Sequence, residues 1–161
     1  MTRSAPITPA TKALDALGIA YTAHPYEHDR AVAGYGLEAA RELGAPPQRV
    51  FKTLVVDAEG SLAVAVVPVS AMLDLKSLAV ALGVKRVTMA SPDLAERRTG
   101  YVVGGISPLG QKQPFPTAID AGSLGDAGAE IHVNGGGRGL QIRLTEGDLV
   151  AALNALVVPL A

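Results

Sequence analysis

Apolar residues recur at helical spacing in five segments of this chain. The first begins at Thr8-Pro9, places Leu14 and Leu17 on one face and ends at Gly18. A threonine cap, a first-turn proline and a terminal glycine are typical of a helix. The other segments also carry a cap or a terminal glycine. We therefore predict further helices at residues 37–43, 73–82, 92–98 and 145–156.

Short runs rich in β-branched residues lie between these segments and are typical of strands. They predict strands at residues 51–57, 62–68, 87–90, 102–106, 117–120, 130–133 and 140–144. Residues 57–60 form a tight connection, so the first two strands are expected to pair as a hairpin. The glycine-rich segment 134–139 also joins strand to strand, which excludes a dinucleotide-binding glycine loop, because that loop needs a helix next. The order predicts a mixed α/β fold, a curled mixed sheet or barrel surrounded by helices, in one domain over residues 1–161.

Composition narrows the classes of function. Hydrophobic residues make up 48% of the chain and charged residues 18%, as in ordered globular proteins. The absence of cysteine excludes disulfides, thiolate metal sites and a cysteine nucleophile. No apolar run reaches the ~18 residues of a membrane helix, and the N-terminus lacks a signal-peptide core, so we expect no membrane contact and a cytoplasmic location. A net charge of −1 argues against a broad nucleic-acid footprint but permits contact with one nucleotide end.

The most distinctive chemistry lies in residues 99–112, where four glycines interrupt an apolar run. Gly104 and Gly105 have no Cβ to keep a ligand away from the backbone, and amides freed from a sheet there can face an oxyanion or a phosphate. A β-bulge or barrel corner is the alternative. The segment is not a phosphate-binding P-loop, because Gln111 interrupts the required Gly-Lys pair, and Leu109 replaces the second glycine of a hydrolase elbow around Ser107.

Lys52 lies at the start of an apolar strand. A lysine there is ordinarily a solvated edge residue, but a cation facing the glycine loop would bind a phosphate or a developing oxyanion. His24 and His28 have the spacing of helical zinc ligands. Because Pro25 lies between them and favours extended backbone, we expect exposed or hydrogen-bonded histidines rather than a metal site.

Two further patterns have ordinary alternatives. A catalytic triad built on Ser107 has no supporting elbow, and Pro108 follows the serine directly. The basic pairs at residues 85–86 and 97–98 are typical of solvated faces, with contact to a nucleic-acid backbone as the alternative.

Taken together, several segments resemble one family. Residues 24–29, 51–54, 73–76, 99–112 and 135–140 occur in the order of the YbaK/EbsC family. This family includes freestanding editing proteins related to the insertion domain of bacterial prolyl-tRNA synthetase. The similarity extends from about residue 8 to about residue 156, and it looks closest to the branch that deacylates Cys-tRNA(Pro).

The resemblance implies a mixed β-barrel with surrounding helices and hydrolysis of the ester that joins a wrong amino acid to tRNA. It implies no metal and no organic cofactor. The implied partners are the aminoacylated 3′ end of tRNA and prolyl-tRNA synthetase. The alternatives are deacylation of another misacylated tRNA such as Ala-tRNA(Pro), a non-catalytic tRNA- or synthetase-binding module, and a small-molecule ester hydrolase.

The family's functional positions are carried over residue by residue. Lys52 matches the essential lysine, and residues 104–108 match a Gly-x-x-x-Pro loop. In that loop the amides of Gly104, Gly105 and Ile106 are expected to face the ester carbonyl. The expected substrate-binding residues are Tyr26, Tyr35, Thr53, Ser107, Pro108, Asn134 and Gln141.

Two positions depart from the cysteine-specific branch, which has serine at Asn134 and aspartate at Gln141. An aspartate can pair with the α-ammonium of the amino acid, whereas Gln141 offers only an amide dipole. The departures leave the preferred amino acid open. The resemblance suggests that the thiol of a cysteinyl substrate attacks its own ester, a lyase-type release, with water attack as the alternative.

Overall fold

The computed structural model of the chain describes residues 6–29, 31 and 34–161. Within these residues five α-helices and eight strands follow one another. Their bounds are α1 (Pro9–Leu17), β1 (Thr22–Pro25), α2 (Tyr35–Leu43), β2 (Phe51–Ala58), β3 (Ser61–Pro68), α3 (Leu75–Leu82), β4 (Thr88–Met89), α4 (Pro92–Thr99), β5 (Thr117–Asp120), β6 (Glu130–Asn134), β7 (Leu140–Thr145), α5 (Glu146–Leu153) and β8 (Leu156–Val158). None of the described helices is long and apolar enough to cross a membrane.

The helices form where their capping residues predict them. Thr8 accepts the Thr11 N–H in a capping box, and Gly18 ends α1 in a left-handed conformation. Side chains also cap α3, α4 and α5, at Asp74, Ser91 and Thr145. These caps work locally, so the sequence locates the helix starts to within about two residues.

The prediction that the last helix continues to residue 156 is wrong. Asn154 adopts a left-handed conformation with φ 49°, and its N–H bonds back to the Ala151 carbonyl, which ends α5 at Leu153. The residues after it form β8, which pairs in parallel with β5. Because β5 is distant in sequence, the local apolar pattern at residues 156–158 gives no sign of this pairing and is equally compatible with the end of a helix.

The strands form two sheets. Five strands in the order β4-β2-β3-β5-β8 make a mixed sheet around the predicted β2–β3 hairpin, and β1-β7-β6 make an antiparallel sheet. The sheets touch where Val50 bridges His132. The predicted mixed α/β fold is confirmed, and the two sheets do not close into a barrel. Strand β1 was not among the predicted strands.

The predicted strand at 102–106 is wrong. These residues form a loop between α4 and β5, with Gly104 at φ +87°. The Gly105 N–H donates to the Val102 carbonyl at 2.8 Å and closes a tight turn. A turn at the glycines prevents the regular alternation that a strand needs.

The hydrophobic core fixes which side chains point away from it. Val133 of β6 and Ile142 of β7 are fully buried in the core cluster that also contains Leu14 of α1. Because successive side chains of a strand point to opposite faces, Asn134 and Gln141, which are paired in register, lie on the other face of this sheet. The core therefore positions two amides beside the glycine loop.

Candidate active site

A cleft of about 440 Å³ lies where elements of both sheets meet the glycine loop. Its walls come from β2, the start of α2, the region from β4 to α4, the loop at 103–106, and facing residues of β6 and β7. Apolar side chains dominate, with a small number of polar groups between them. A concave apolar site with a few polar groups is typical of small-ligand binding.

Most of the residues expected from the sequence line this cleft. They are Tyr26, Tyr35, Lys52, Thr53, Gly104, Ile106, Asn134 and Gln141. They come from segments more than 100 residues apart, and the fold brings them to one place.

Ser107 and Pro108 do not line the cleft. Ser107 is fully buried, its Oγ accepts the Leu109 N–H at 3.2 Å, and its carbonyl accepts the Gln111 amide at 3.0 Å. Pro108 lines a separate small cavity beside Ala13 of α1. The structure therefore does not bring these two predicted substrate-binding residues to the cleft, and the hydrogen bonds of Ser107 instead stabilise the far end of the loop.

The glycine loop is fixed by bonds to three other elements. Its Val103 N–H donates to the Glu96 carboxylate of α4 at 2.8 Å. The Val103 carbonyl accepts Arg138 Nε at 2.8 Å, and the Gly104 carbonyl accepts Asn134 Nδ2 at 3.3 Å. These contacts leave the amides of Gly104 and Ile106 without a hydrogen-bond partner in the described part of the chain. Both residues line the cleft.

Gly105 has a different role from the one predicted. Its N–H is used in the turn to Val102, so it is not a free donor. A Cβ on Gly105 would lie 2.9 Å from the Arg138 main-chain nitrogen and equally close to Gly137. Gly105 is therefore needed because the loop packs directly on the turn that joins β6 to β7.

Gly104 faces the aromatic ring of Tyr35. A Cβ added at Gly104 would lie 2.6 Å from that ring, and its φ of +87° disfavours any side chain. The Arg138 guanidinium lies over the same Tyr35 ring, 5.5 Å from its centre. Tyr35 is thus in contact with both the glycine loop and Arg138.

Asn134 is saturated by backbone bonds. Its Oδ1 accepts the N–H groups of Gly136 and Gly137 at 2.6 and 3.1 Å. Its Nδ2 donates to the carbonyls of Gly137 and Gly104 at 3.0 and 3.3 Å. An amide side chain has two N–H donors and one carbonyl, and all of them are used here. Asn134 therefore clamps two glycine segments together.

Strand β2 has an open edge along the cleft. On one side β3 pairs with its whole length, but on the other β4 reaches only residues 56–57 and β6 bridges only at Val50. The Val55 carbonyl points to this second side, since it accepts the Ala90 N–H at 3.1 Å. Because main-chain groups of alternate strand residues point the same way, the N–H and C=O of Thr53 point into the gap.

Two buried oxygens that line the cleft accept no hydrogen bond within the described residues. They are Thr53 Oγ1 and Gln141 Oε1. An unpaired buried acceptor costs free energy, of the order of 1–3 kcal/mol, and a bound donor would remove that cost. Both oxygens are suited to an ammonium or hydroxyl group.

Lys52 has no ion-pair partner among the described carboxylates. Partial burial lowers the pKa of its ammonium below the ordinary value of 10.5. Burial likewise raises the pKa of the Tyr26 phenol, which stays neutral. Among the described residues that line the cleft, Lys52 is the cation and the other polar groups are uncharged.

The histidines have structural partners. His28 Nδ1 lies 2.7 Å from the Glu38 carboxylate, which also accepts the Asp29 N–H. Burial opposes ionisation of Glu38, yet these bonds hold its pKa below the usual range. His24 lies 2.8 Å from Thr22 Oγ1 and packs edge-on against His132. Across the described ranges no group of three or more histidine, aspartate, glutamate or cysteine side chains could hold a metal ion.

Sequence reasoning missed two contributors to this site, Glu96 and Arg138. Glu96 gives no local signal, because it lies in a highly charged helix. Arg138 is the one charged residue among the glycines of the β6–β7 turn. Its isolated charge was the sequence signal that could have identified it as a site residue.

Comparisons with known proteins show the family to which the chain belongs. The family model for the aminoacyl-tRNA editing domain matches residues 31–151. A protein of Enterococcus faecalis (strain ATCC 700802 / V583), with the provisional name Cys-tRNA(Pro)/Cys-tRNA(Cys) deacylase EbsC, is 40% identical over 116 residues. The match covers 71% of this chain and 70% of that protein.

Solved structures share the fold. A crystal structure provisionally described as a trans-editing enzyme for prolyl-tRNA synthetase superposes with a TM-score of 0.78 at 27% identity, covering 94% of each chain. The crystal structure of the hypothetical protein APE2540 superposes with a TM-score of 0.82 at 24% identity, over 94% of this chain and 98% of that one. The chain belongs to the aminoacyl-tRNA editing family, which supports a deacylase function and a tRNA substrate.

Proposed function

We propose that this protein deacylates mischarged tRNA by stabilising an oxyanion with main-chain amides, and that Cys-tRNA(Pro) is its preferred substrate. The observation that carries the proposal is that Gly104 and Ile106 line the cleft that contains Lys52, and that their amides have no hydrogen-bond partner among the described residues. The name of the Enterococcus faecalis relative supports the choice of substrate.

Such a protein has a reason to exist. A synthetase pocket rejects a near-isostere weakly, because one methylene or small group changes binding by only about 1–3 kcal/mol. Cysteine and alanine both fit where proline fits, so a separate enzyme has to remove them. The active site of the editing enzyme can then distinguish the wrong amino acid from proline by its reactivity, which the synthetase pocket does not test.

The ester carbonyl would lie against the glycine loop. As the carbonyl is attacked its oxygen gains negative charge, and the amides of Gly104 and Ile106 donate to it. One donor of this kind lowers the activation free energy by about 3–4 kcal/mol in enzymes of known mechanism. The loop needs no rearrangement for this, because Glu96, Asn134 and Arg138 already hold it.

The amino group of the substrate would lie at the opposite wall. The Thr53 carbonyl, Thr53 Oγ1 and Gln141 Oε1 are three acceptors at the gap in the sheet. An ammonium group carries three donors and would satisfy the two buried oxygens that are otherwise unpaired. Neutral acceptors at this position orient the amino group without a counter-charge.

Lys52 would bind ribose or phosphate oxygens of the terminal adenosine. It is the cleft's ammonium group and has no carboxylate partner among the described residues. A lysine is a point charge on a flexible stem, so it suits an oxygen whose position shifts as the reaction proceeds.

The attacking group would come from the substrate. Within the described part of the chain, no histidine, aspartate or glutamate lines the cleft to activate a nucleophile, and Ser107 is buried outside it. The cysteinyl sulfur attacks its own ester carbonyl and gives up its proton, the tetrahedral oxyanion collapses, and the ribose oxygen leaves and takes up a proton. Intramolecular attack reaches effective molarities of about 10⁵ M or more, so the protein has to hold one conformer and stabilise charge.

The test compares Cys-tRNA(Pro), S-methylcysteinyl-tRNA(Pro) and Ala-tRNA(Pro). We expect fast loss of cysteine and rates near the uncatalysed background for the other two, since neither has a free thiol. Removal of alanine as fast as cysteine would contradict thiol attack and favour water as the nucleophile. No activity on any of the three would favour a binding module instead of an enzyme.

We also propose that prolyl-tRNA synthetase supplies part of the affinity for tRNA. A net charge of −1 and few aromatic residues give this chain little nucleic-acid affinity of its own. Deacylation at low enzyme concentration should therefore become faster when catalytically inactive prolyl-tRNA synthetase is added. An unrelated synthetase is the control, and an equal effect of both would contradict the proposal.

A further inference from the structure

Arg138 lies at the tip of the turn between β6 and β7, flanked by Gly137 and Gly139. Its side chain is exposed, but it has a defined orientation. The Nε atom donates to the Val103 carbonyl at 2.8 Å, and the guanidinium lies 5.5 Å from the centre of the Tyr35 ring. Two contacts of different kinds therefore hold a side chain that is usually mobile on a protein surface.

Both contacts place the guanidinium at the edge of the cleft. Val103 and Tyr35 both line the cleft, and both are neighbours of Gly104. Since Nε is used, the outward edge of the guanidinium consists of the two Nη groups. These groups donate no hydrogen bond to the described residues, and no described carboxylate lies within 4 Å of them.

We propose that Arg138 binds a phosphodiester of the tRNA 3′ end, outside the cleft that receives the aminoacyl ester. This inference rests on the proposed function. A guanidinium presents parallel N–H groups that match two oxygens of one phosphate, and it stays charged at any physiological pH. Arg138 is oriented before the substrate arrives, so little side-chain entropy is lost on binding.

The position distinguishes Arg138 from Lys52. Lys52 lies within the cleft beside Thr53, where the ribose of the terminal nucleotide is expected. Arg138 lies at the mouth, where the chain of the nucleic acid leaves the site. A protein of net charge −1 makes few phosphate contacts, so one ordered cation at the mouth has a large effect on substrate binding.

Arg138 also positions the glycine loop through Val103, and the experiment has to separate the two roles. The substrates are Cys-tRNA(Pro) and the 3′-cysteinyl ester of adenosine, which has no phosphate. The variants are Arg138→Gln, Arg138→Lys and, as a charge-matched control, Lys76→Gln. Lys76 is exposed on α3, a helix that contributes no residue to the cleft.

Arg138→Gln should lower kcat/KM on Cys-tRNA(Pro) at least tenfold more than on cysteinyl-adenosine, mostly through KM. That factor corresponds to one charge-assisted hydrogen bond. The slope of log(kcat/KM) against log[salt] on tRNA should become shallower by about 0.7–0.9. Arg138→Lys should keep the wild-type salt slope because the charge remains, and Lys76→Gln should match wild type on both substrates.

Equal losses on the two substrates would overturn the inference and leave Arg138 as a positioning residue only. An unchanged salt slope in Arg138→Gln would also overturn it. If Arg138→Gln does not fold, the wild-type slope in Arg138→Lys and a shallower slope in Arg138→Ser serve the same purpose. If the wild type deacylates neither substrate, the proposed function itself fails, and that outcome is distinct from the others.

Discussion

At the scale of single residues, Lys52 combines partial burial with the lack of a counter-ion among the residues that the structure describes. Burial lowers the pKa of Lys52 because the charged form loses hydration. A charge kept under these conditions destabilises the folded protein slightly, so it is more easily explained by a ligand than by folding. The sequence located this residue, and the structure supplies the reason why it is unusual.

Replacing Lys52 with alanine should therefore separate activity from stability. We expect Lys52→Ala to lower deacylation of Cys-tRNA(Pro) at least about 100-fold, the effect of removing one preorganised charge, with a melting temperature equal to or above that of wild type. Single-turnover deacylation and thermal unfolding by circular dichroism measure both. Lys76→Ala is the matched control. Retained activity in Lys52→Ala would show that Lys52 is an ordinary residue at the edge of the sheet with no role in deacylation.

The protonation of Lys52 should also be visible in the pH dependence. If the ammonium form is required, the enzymatic rate falls as pH rises through the lowered pKa, thus at a pH below the ordinary value of 10.5. The spontaneous rate of ester hydrolysis at each pH has to be subtracted. The Lys52→Arg variant should keep its activity to higher pH than wild type, relative to its own maximum, because arginine does not titrate there.

Gly104 gives a second prediction at this scale. Gly104→Ala adds a Cβ 2.6 Å from the Tyr35 ring at a positive φ, so we expect at least a tenfold loss of activity and about 1–2 kcal/mol of stability. Gly137→Ala is the control, since nothing lies within 4 Å of its Cβ position and its φ is not positive. Deacylation rates and denaturant unfolding check the pair, and equal effects of the two substitutions would contradict this role for Gly104.

At the scale of elements, the site depends on two glycine segments that pack on each other. Asn134 contributes one hydrogen bond to this contact, to the Gly104 carbonyl, and its three other bonds shape its own turn at Gly136 and Gly137. Gly105 allows the close approach of the two segments. The loop at 102–106 is not a strand, so its orientation relative to the sheets comes from these bonds and from Glu96. A substitution of Asn134 should therefore shift the amides of Gly104 and Ile106, although Asn134 makes no hydrogen bond to them.

Asn134→Asp tests the donor half of the clamp. Aspartate keeps the acceptors for the Gly136 and Gly137 N–H groups but cannot donate to the Gly104 and Gly137 carbonyls. We expect about 1–3 kcal/mol of destabilisation, faster amide hydrogen exchange in residues 103–106 and slower deacylation. Native-state hydrogen exchange by mass spectrometry measures the loop, and unchanged exchange there would show that Asn134 does not hold it.

At the scale of the whole molecule, stability should depend on pH through His132. Burial, the neighbouring His24 and Arg143 lower the pKa of His132 to about 4. The unfolded chain binds a proton near the ordinary value of 6.5 and the folded chain does not. The titration of His132 therefore has no effect on the free energy of unfolding above pH 6.5. As the pH falls from 6.5 toward about 4, protonation of His132 in the unfolded chain lowers that free energy progressively.

His132→Gln should flatten this dependence. Other groups titrate in the same range, so the quantity to measure is the difference between wild type and variant in the free energy of unfolding from pH 7 to pH 4. We expect wild type to lose more stability than the variant over that range. A parallel loss in the two proteins would mean that His132 is solvated in the folded state.

Much of the fold is predictable because its signals are local. Thr8, Asp74, Ser91 and Thr145 cap helices by bonding to amides within three residues, and the β2–β3 hairpin follows from one four-residue connection. Strand β8 was not predictable in this way. Its partner β5 lies more than 30 residues earlier in sequence, and local apolar pattern does not distinguish a last helical turn from an edge strand.

The sequence by itself determined the α/β class, most helices and strands, and the residue types of the site, because capping, alternation and glycine act over a few residues. Only the tertiary structure decided how the loop that carries the Gly104 and Ile106 amides is held. The Val103 and Gly104 carbonyls accept hydrogen bonds from Arg138 and Asn134, 35 and 30 residues away. A hydrogen bond between distant segments depends on how the sheets pack, and no local pattern encodes it.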